Sequence, residues 1–210
     1  MHALLRVWLP ADPCWLAQVH GAAVVDADTS WPEPPQADAS TSLETGRVCA
    51  VLVADCLPVL FCSLDGDAVG AAHAGWRGLA GGVLEATVQA LVETTGRGPE
   101  RLLAWLGPCI GPQAFEVGAD VLQAFGAEPV PGVVRDPAFR PAPRADGSLR
   151  WRADLVALAR RRLAAAGVAR VSGGHWCTVE APQRFFSFRR DGAAGPTGRM
   201  AAAVALRADG

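Results

Sequence analysis

The chain has no tyrosine and no lysine, so every basic residue is an arginine, and its formal net charge is only −2. We attribute the missing residue types to a coding bias of the source genome, without functional meaning. The small net charge gives no electrostatic reason to expect nucleic acid as a partner. The sequence also lacks a secretory signal pattern and an apolar run of membrane-spanning length. We therefore expect a cytoplasmic protein with no membrane partner.

The cysteines lack the spacing of a disulfide framework or of paired CxxC motifs. In a cytoplasmic protein of this size they are expected to be thiols, and most of them to be small buried hydrophobic residues. One or two of them remain available as metal ligands or nucleophiles. The six positions are Cys14, Cys49, Cys56, Cys62, Cys109 and Cys177.

No internal repeat is visible, and with 210 residues and 50% hydrophobic content the chain can build a substantial core. Alternating strand and helix patterns predict an α/β (α+β) fold: one domain over 1–210, with a layered mixed β-sheet flanked by helices. Loops are predicted at 31–42 and, as a proline-rich excursion, at 129–148. Strands are predicted at 14–20, 47–56, 57–64, 68–74, 101–107, 169–179 and 198–206, and helices at 84–96, 118–126 and 152–167.

Three polar residues stand at the ends of apolar runs: His20, Cys56 and His73. Folds of this class place their sites at strand ends. Two imidazoles and a thiolate suit Zn²⁺, and three protein ligands leave a fourth position open, as in catalytic zinc sites. The alternative is that each is an ordinary core residue, since their spacings match no local zinc motif.

Two carboxylates are candidates for proton transfer. Asp55 precedes Cys56, and we interpret it either as a general base or ligand-orienting group, or as a strand-end cap. In a regular strand the two side chains would point to opposite faces, unless a bend at Pro58 changes this. Glu116 lies in a glycine- and proline-rich turn at 107–118 and is the second candidate.

Arginines near these residues are candidates for anion binding. Arg77 lies in "HAGWRGLAGG", where glycines and a helix start suit a phosphate. The alternative is close strand–helix packing with Arg77 on the surface. Arg189 and Arg190 lie in an aromatic and basic segment, 177–199, which would bind a purine ring or a phosphate, or else pack as a strand with a solvated edge.

The order of the motifs closely resembles that of the YfiH-type laccase-domain family. The matching stretches are "QVHG" at 18–21, "ADCLPVLF" at 54–61, "HAGWRG" at 73–78, "GPCIG" and "FEVG" within 107–118, and "FFSFRRD" with "TGRMAA" within 186–202.

The resemblance implies a single α/β domain whose metal ligands fall on His20, Cys56 and His73, usually with zinc and with copper as the other possibility. It also implies phosphorolysis of adenosine, inosine, guanosine and methylthioadenosine, together with adenosine deamination. The expected partners are therefore a purine nucleoside and phosphate. Under this hypothesis of a purine nucleoside enzyme, the catalytic candidates are Cys56, Asp55 and Glu116.

Two departures from the family pattern stand out. Family members usually carry a substantial segment before "QVHG", so we expect a shortened N-terminus: either the start is unusually late, or that part of the pocket is missing or replaced. Frequent tyrosine positions of the family are Phe115 and Phe188 here. Three other functions stay open: a copper-binding polyphenol oxidase, a metal-free hydrolase with Cys56 as nucleophile, and a binding module without activity.

Overall fold

The computed structural model describes residues 7–129 and 135–207, and it confirms the mixed α/β class. The strands are β1 (Val24–Asp26), β2 (Ala39–Ser42), β3 (Val48–Val53), β4 (Leu57–Ser63), β5 (Val69–Ala74), β6 (Leu102–Leu106), β7 (Glu116–Val117), β8 (Phe139–Pro141), β9 (Trp151–Ala153), β10 (Arg170–Gly173) and β11 (Met200–Ala205). The helices are α1 (Trp76–Ala80), α2 (Val83–Thr95), α3 (Ala119–Ala124), α4 (Leu155–Ala165) and α5 (Phe188–Asp191).

A six-stranded sheet forms the middle layer, in the order β1-β2-β5-β4-β6-β10. It is mixed, because β1 and β2 are parallel, as are β6 and β10, whereas the inner pairs are antiparallel. The antiparallel pair β3 and β11 covers one face. Helix α2 packs on β5 and β2 from the other side and also contacts α4. Strands β7, β9 and β8 form a separate small sheet.

Strand β5 is at the centre of these layers, and all six of its residues are buried. Its sequence VGAAHA is rich in small side chains, so that α2 can approach it from one side and β3 from the other. A Cβ on Gly70 would lie 3.3 Å from the Ser40 carbonyl oxygen of β2. The larger apolar side chains of the neighbouring elements, such as Phe61 and Leu91, complete the core.

The register of β4 and β5 positions two of the candidate residues. Pro58 pairs with His73 and Leu57 pairs with Ala74, so Cys56 enters β4 next to the end of β5. Cys56 itself lies in the short turn between β3 and β4. Neighbouring antiparallel strands therefore bring the thiol and the imidazole together, although 17 residues separate them in the sequence.

Several sequence predictions were wrong. Residues 14–20 form no strand but only isolated bridges at Cys14 and Ala17. Residues Ala39–Ser42 of the predicted loop 31–42 form the fully buried strand β2. The predicted strand 169–179 ends at Gly173, where the backbone turns into a left-handed conformation with φ 77°.

The proline-rich excursion is only partly a loop. Residues 130–134 of the predicted 129–148 segment lie outside the described residues. Strand β8 occupies Phe139–Pro141 and pairs with β9, with Phe139 and Trp151 buried in the core. The excursion therefore contributes to packing.

No helix in the described ranges has both the length and the apolar character that crossing a membrane requires.

Candidate metal centre and its cavity

His20, Cys56 and His73 converge at one point of the structure. One ligand atom from each residue lies within 4.8 Å of the other two. The two imidazole rings meet edge to face, with their centroids 4.9 Å apart. His73 is buried, Cys56 is half-buried and His20 is exposed, so the group opens towards solvent on the His20 side. The structure thus brings together the three residues that the sequence analysis grouped.

The turn before β4 directs Cys56 into this group. Asp55 has φ 89°, a left-handed conformation that non-glycine residues adopt rarely, although aspartate tolerates it better than most. This bend replaces the one that we considered at Pro58, which is a regular member of β4. As a result Asp55 and Cys56 line the same cavity instead of pointing to opposite faces.

His20 reaches the group from a loop. Its φ is 61°, again left-handed. The amides of Val19, His20 and Gly21 all donate to the carboxylate of Asp38, at 3.2, 2.9 and 2.7 Å. The same carboxylate lies 2.7 Å from Nδ1 of His73. Asp38 therefore contacts both histidine segments.

Two glycines of "HAGWRG" let the chain pass close to these groups. A Cβ on Gly75 would lie 2.9 Å from the Cys56 sulfur and 3.3 Å from Cδ2 of His20. A Cβ on Gly78 would lie 2.7 Å from the Gly21 carbonyl oxygen. Any side chain at either position would push the ligand-bearing segments apart.

The surroundings favour an ionised thiol on Cys56. Burial disfavours the thiolate, but hydrogen bonds with His20 and His73 outweigh it and lower the pKa of Cys56 from 9.0 to about 7. Burial also disfavours a charged His73, yet its bonds to Asp38 and Cys56 raise the pKa of His73 from 6.5 to about 9. In contrast, burial raises the pKa of Cys49 to about 12. The thiolate is the form that binds a metal, so Cys56 is suited to the task.

These three residues lie in the wall of a cavity of about 600 Å³. Its volume is in the usual range for small-molecule sites. Aromatic and aliphatic side chains form most of the remaining wall, including Trp76, Phe115 and Phe188. Phe188 is 61% exposed, so the cavity is open to solvent where this residue lines it.

Three arginines line the cavity: Arg77, Arg189 and Arg199. The Arg77 guanidinium stacks 4.5 Å from the centre of the Trp76 ring, and within residues 7–129 and 135–207 it makes no hydrogen bond or ion pair. Arg189 donates to the carbonyl oxygens of Ala114 and Glu116 at 3.2 and 3.1 Å. All three side chains are exposed.

Asp55 is the carboxylate in the cavity wall, but both of its oxygens are engaged. Oδ1 accepts from the hydroxyl of Thr178 at 2.5 Å. Oδ2 accepts from the hydroxyl of Ser187 at 3.1 Å and from the amide of Arg189 at 2.6 Å. These contacts attach the 178–189 segment to the turn before Cys56, which favours the anchoring interpretation of Asp55 over the general base.

Glu116 and Arg190 do not line the cavity. Glu116 forms an ion pair with Arg144 on the surface. Arg190 donates to the carbonyl oxygens of Thr178, Val179 and Phe185 and pairs with Asp191, so its guanidinium is committed to holding the segment together. Their predicted roles in catalysis and in phosphate binding have no support from this placement.

Sequence reasoning missed Asp38 and Arg199. Asp38 lies in "PPQADAS", which we interpreted as a polar loop. The only local signal was an acidic residue directly before a short run of small residues. Arg199 was included in the basic segment but was not selected as a candidate. Its guanidinium donates only weakly, at 3.3 Å, to the carbonyl oxygens of Thr197 and Gly198.

The donor set fits a soft or borderline divalent cation. Two imidazole nitrogens and a thiol of lowered pKa suit zinc, and copper accepts the same ligands. His73 is also hydrogen-bonded through its second nitrogen to a carboxylate, as is usual for histidines that bind metals.

Relatives of known name align with nearly the whole chain. A protein of Escherichia coli (strain K12) named purine nucleoside phosphorylase YfiH is 48% identical over 198 residues, which cover 94% of this chain and 75% of the relative. A Pseudomonas aeruginosa protein, also named a purine nucleoside phosphorylase, is 49% identical over 199 residues, covering 95% and 76%.

Solved structures share the fold. A crystal structure of a Neisseria meningitidis protein has a TM-score of 0.83 and 47% identity, and covers 98% of this chain and 78% of its own. YfiH of Bacillus licheniformis has a TM-score of 0.82 and 25% identity, with coverage of 98% and 79%. These matches confirm the resemblance to YfiH-type proteins. The model of one family matches residues 2–207, so the chain belongs to the family described as multi-copper polyphenol oxidoreductase laccase.

Proposed function

We propose that this chain catalyses the phosphorolysis of purine nucleosides in the cavity beside His20, Cys56 and His73. One observation carries the proposal: a single cavity combines the His–Cys–His group, aromatic rings and three arginines that form no ion pair within the described residues. The names of the relatives, which are about half identical in sequence, support the same reaction.

Phosphorolysis needs a site for an anion. An oxygen of phosphate forms a bond to the anomeric carbon of ribose, and the carbon–nitrogen bond to the purine breaks. The electron pair of that bond leaves with the purine nitrogen, which takes up a proton. Arg77, Arg189 and Arg199 are the groups that bind and orient the phosphate, because guanidinium groups match its oxygens in bidentate fashion. Helix α1 begins at Trp76 but has only five residues, so we assign the anion to the arginines.

The aromatic side chains of the cavity wall provide apolar contact for the purine. Trp76, Phe115 and Phe188 line the cavity, and the guanidinium groups of Arg77 and Arg189 lie 4.5 and 5.6 Å from the ring centres of Trp76 and Phe115. Packing against these side chains removes the purine ring from solvent, which favours binding. The same packing excludes water from the neighbourhood of the anomeric carbon. Phenylalanine at 115 and 188 offers no hydroxyl, so recognition there depends on ring contact.

We propose Zn²⁺ as the resident metal, held by His20, Cys56 and His73, with Cu²⁺ as the alternative. A metal held there would supply a Lewis acid able to polarise a substrate oxygen or ring atom. The protein contributes the three ligands, including a thiol of lowered pKa, and the largely apolar wall around them.

A multi-copper oxidase is a poor fit to the donor set. A trinuclear copper cluster with a separate blue-copper site needs many more histidines than the four in this chain. In the described ranges one group of three metal-binding side chains is found, and His2 lies outside them. The donor set accommodates one copper ion.

Adenosine deamination has weaker support from the structure than phosphorolysis has. It requires a group that carries protons to and from the purine ring. Asp55 is the one acidic residue lining the cavity within the described part of the chain, and its oxygens already accept three hydrogen bonds. Phosphorolysis makes better use of the three arginines.

The test uses the purified chain with adenosine, inosine, guanosine or methylthioadenosine, with and without phosphate. We expect release of the free base only when phosphate is present, together with ribose 1-phosphate from adenosine, inosine and guanosine and with 5-methylthioribose 1-phosphate from methylthioadenosine. Base released equally without phosphate would indicate a hydrolase with Cys56 as nucleophile. Absence of turnover with all four nucleosides would overturn the proposal and favour a binding module.

A further inference from the structure

Asp38 is a fully buried carboxylate directly before β2, and aspartate is rarely buried to this extent without a partner. Its Oδ1 faces the His20 amide and Nδ1 of His73, at 2.9 and 2.7 Å. Its Oδ2 accepts from the amides of Val19 and Gly21, at 3.2 and 2.7 Å. These four contacts use the whole acceptor capacity of a carboxylate.

The contact with His73 determines which ring nitrogen is free. A carboxylate accepts hydrogen bonds, so the proton of the Asp38–His73 contact lies on Nδ1 of the ring. Since Nδ1 is occupied by Asp38, Nε2 is the ring nitrogen that can bind a metal once it carries no proton. The backbone fixes the distance as well, because the His73 amide donates to the Asp38 carbonyl oxygen at 2.7 Å.

The contacts with residues 19–21 hold the His20 loop. His20 adopts φ 61°, a left-handed conformation that strains a residue with a Cβ. Three successive amides converge on the one carboxylate and compensate for this strain. Without them the loop could relax to an ordinary conformation, and the His20 ring would move away from His73.

Every side-chain contact of Asp38 in the described part of the chain belongs to one of the two histidine segments. Burying a charged carboxylate costs free energy that stabilising a turn alone does not require. A carboxylate bonded to the segments of both His20 and His73 has a further effect, because it couples the positions of the two side chains. We propose that Asp38 is a positioning residue that sets His20 and His73 together for metal binding. This inference rests on the proposed function of the group as a metal centre.

The first test compares Asp38→Asn with Asp28→Asn. The side-chain oxygen of asparagine can accept from one pair of donors, either the His20 amide with His73 Nδ1 or the amides of Val19 and Gly21. Its NH₂ group then faces the other pair of donors and cannot accept from them. Asp28 is the matched control, because it lies near the far end of β2 and accepts from the Leu43 amide and the Ser42 hydroxyl, away from both histidines. Zinc affinity is measured by competition with a chromogenic chelator.

We expect Asp38→Asn to weaken zinc binding about 10- to 100-fold, the usual effect of removing a carboxylate behind a ligating histidine. Asp28→Asn should bind zinc like the wild type, even if its melting temperature falls. Equal zinc affinity of Asp38→Asn and the wild type would overturn the inference, and so would an equal loss in both variants.

The second test needs neither a metal nor a variant that folds. In ¹⁵N-histidine-labelled, metal-free wild type, the His73 ring should show an Nδ1–H proton protected from solvent exchange. An unprotonated Nδ1 on His73 would contradict the role of Asp38 directly. If the wild type binds no zinc, the metal centre itself is wrong, and the Nδ1–H signal still decides whether Asp38 orients the ring.

Discussion

The two sides of the cavity differ in how firmly the structure holds their polar groups. On the metal side, His73 is buried, and Asp38 and Cys56 engage its ring. On the arginine side, the Arg77, Arg189 and Arg199 side chains are exposed, and the Arg77 guanidinium contacts only an aromatic ring in the described ranges. The difference shows that hydrogen bonds fix the groups of the proposed metal centre more firmly than they fix the arginines proposed to bind phosphate.

Asp55 connects the two sides. Its backbone bend directs Cys56 into the metal side, and its carboxylate binds the amide of Arg189 on the other. Breaking one side at a time should therefore separate the loss of metal from the loss of phosphate binding.

The largest effect is expected from Cys56→Ala. Two histidines alone make a poor zinc site, so the bound zinc should fall from about one per chain towards zero, and phosphorolysis should fall with it. Elemental analysis of the dialysed protein measures the first and base release measures the second. Cys62→Ala, in β4 and outside the group, is the control and should keep its zinc. A variant at Cys56 that retains full zinc would contradict the assignment.

Asp55→Asn should affect both sides through the turn. Asparagine also tolerates a left-handed backbone, so the main loss is the charge that accepts hydrogen bonds from Thr178, Ser187 and the Arg189 amide. We expect the free energy of unfolding in urea to fall by about 1–3 kcal/mol. If Asp55 acted instead as a general base, Asp55→Asn would lower the activity without this loss of stability.

On the arginine side, Arg77→Met should raise the KM for phosphate about tenfold, equivalent to about 1.4 kcal/mol, and leave zinc content unchanged. Arg190→Met is the comparison, because its guanidinium holds carbonyl oxygens of the 178–185 segment. It should lower thermal stability and leave the KM for phosphate unchanged. The reverse pattern would exchange the assigned roles of the two arginines.

The lowered pKa of Cys56 should be measurable as a pH-dependent rate of thiol alkylation. With the metal removed, Cys56 becomes more ionised as the pH rises through its pKa of about 7. Its thiolate fraction, and hence its alkylation rate by iodoacetamide, should increase about tenfold between pH 6 and pH 8. Peptide mass spectrometry distinguishes it from Cys49, whose pKa of about 12 keeps it protonated over the same range. Equal labelling of both cysteines would count against the lowered pKa.

The smallest effect is expected from Glu116→Gln. Its ion pair with Arg144 is on the surface, and such pairs contribute less than about 1 kcal/mol. Turnover of the nucleoside should stay at the wild-type level, measured at saturating phosphate. A large loss of turnover would return Glu116 to the catalytic group where the sequence analysis placed it.

Elements with strong apolar periodicity could be predicted from the sequence. Strands β4 and β5 and helix α2 lie within one residue of their predicted bounds, whereas β3 begins one residue after and ends three residues before its predicted bounds. Strand β2 could not be predicted, because "ASTS" lacks the apolar and β-branched run that indicates a buried strand. It is buried because β1 and β5 pair with its two edges and α2 packs over it.

The candidate site divides in the same way. His20, Cys56 and His73 could be selected from the sequence, because few other residues have metal-binding side chains at the ends of apolar runs. Glu116 and Arg190 could not be rejected there, since an ion pair and three backbone carbonyl oxygens, visible only in the structure, account for them. A carboxylate or guanidinium looks the same in sequence whether it faces a cavity or a neighbouring strand.

The sequence by itself determined the family and the fold class, and it singled out the three residues of the proposed metal centre. Motifs, their order and apolar patterning can all be read directly along the chain. Only the tertiary structure decided what each carboxylate does. Asp38 sits between two histidines, and Asp55 anchors a segment more than 120 residues away in the chain. Hydrogen bonds act over about 3 Å, so the partners of a buried charge depend on packing and cannot be read from its neighbours in the sequence.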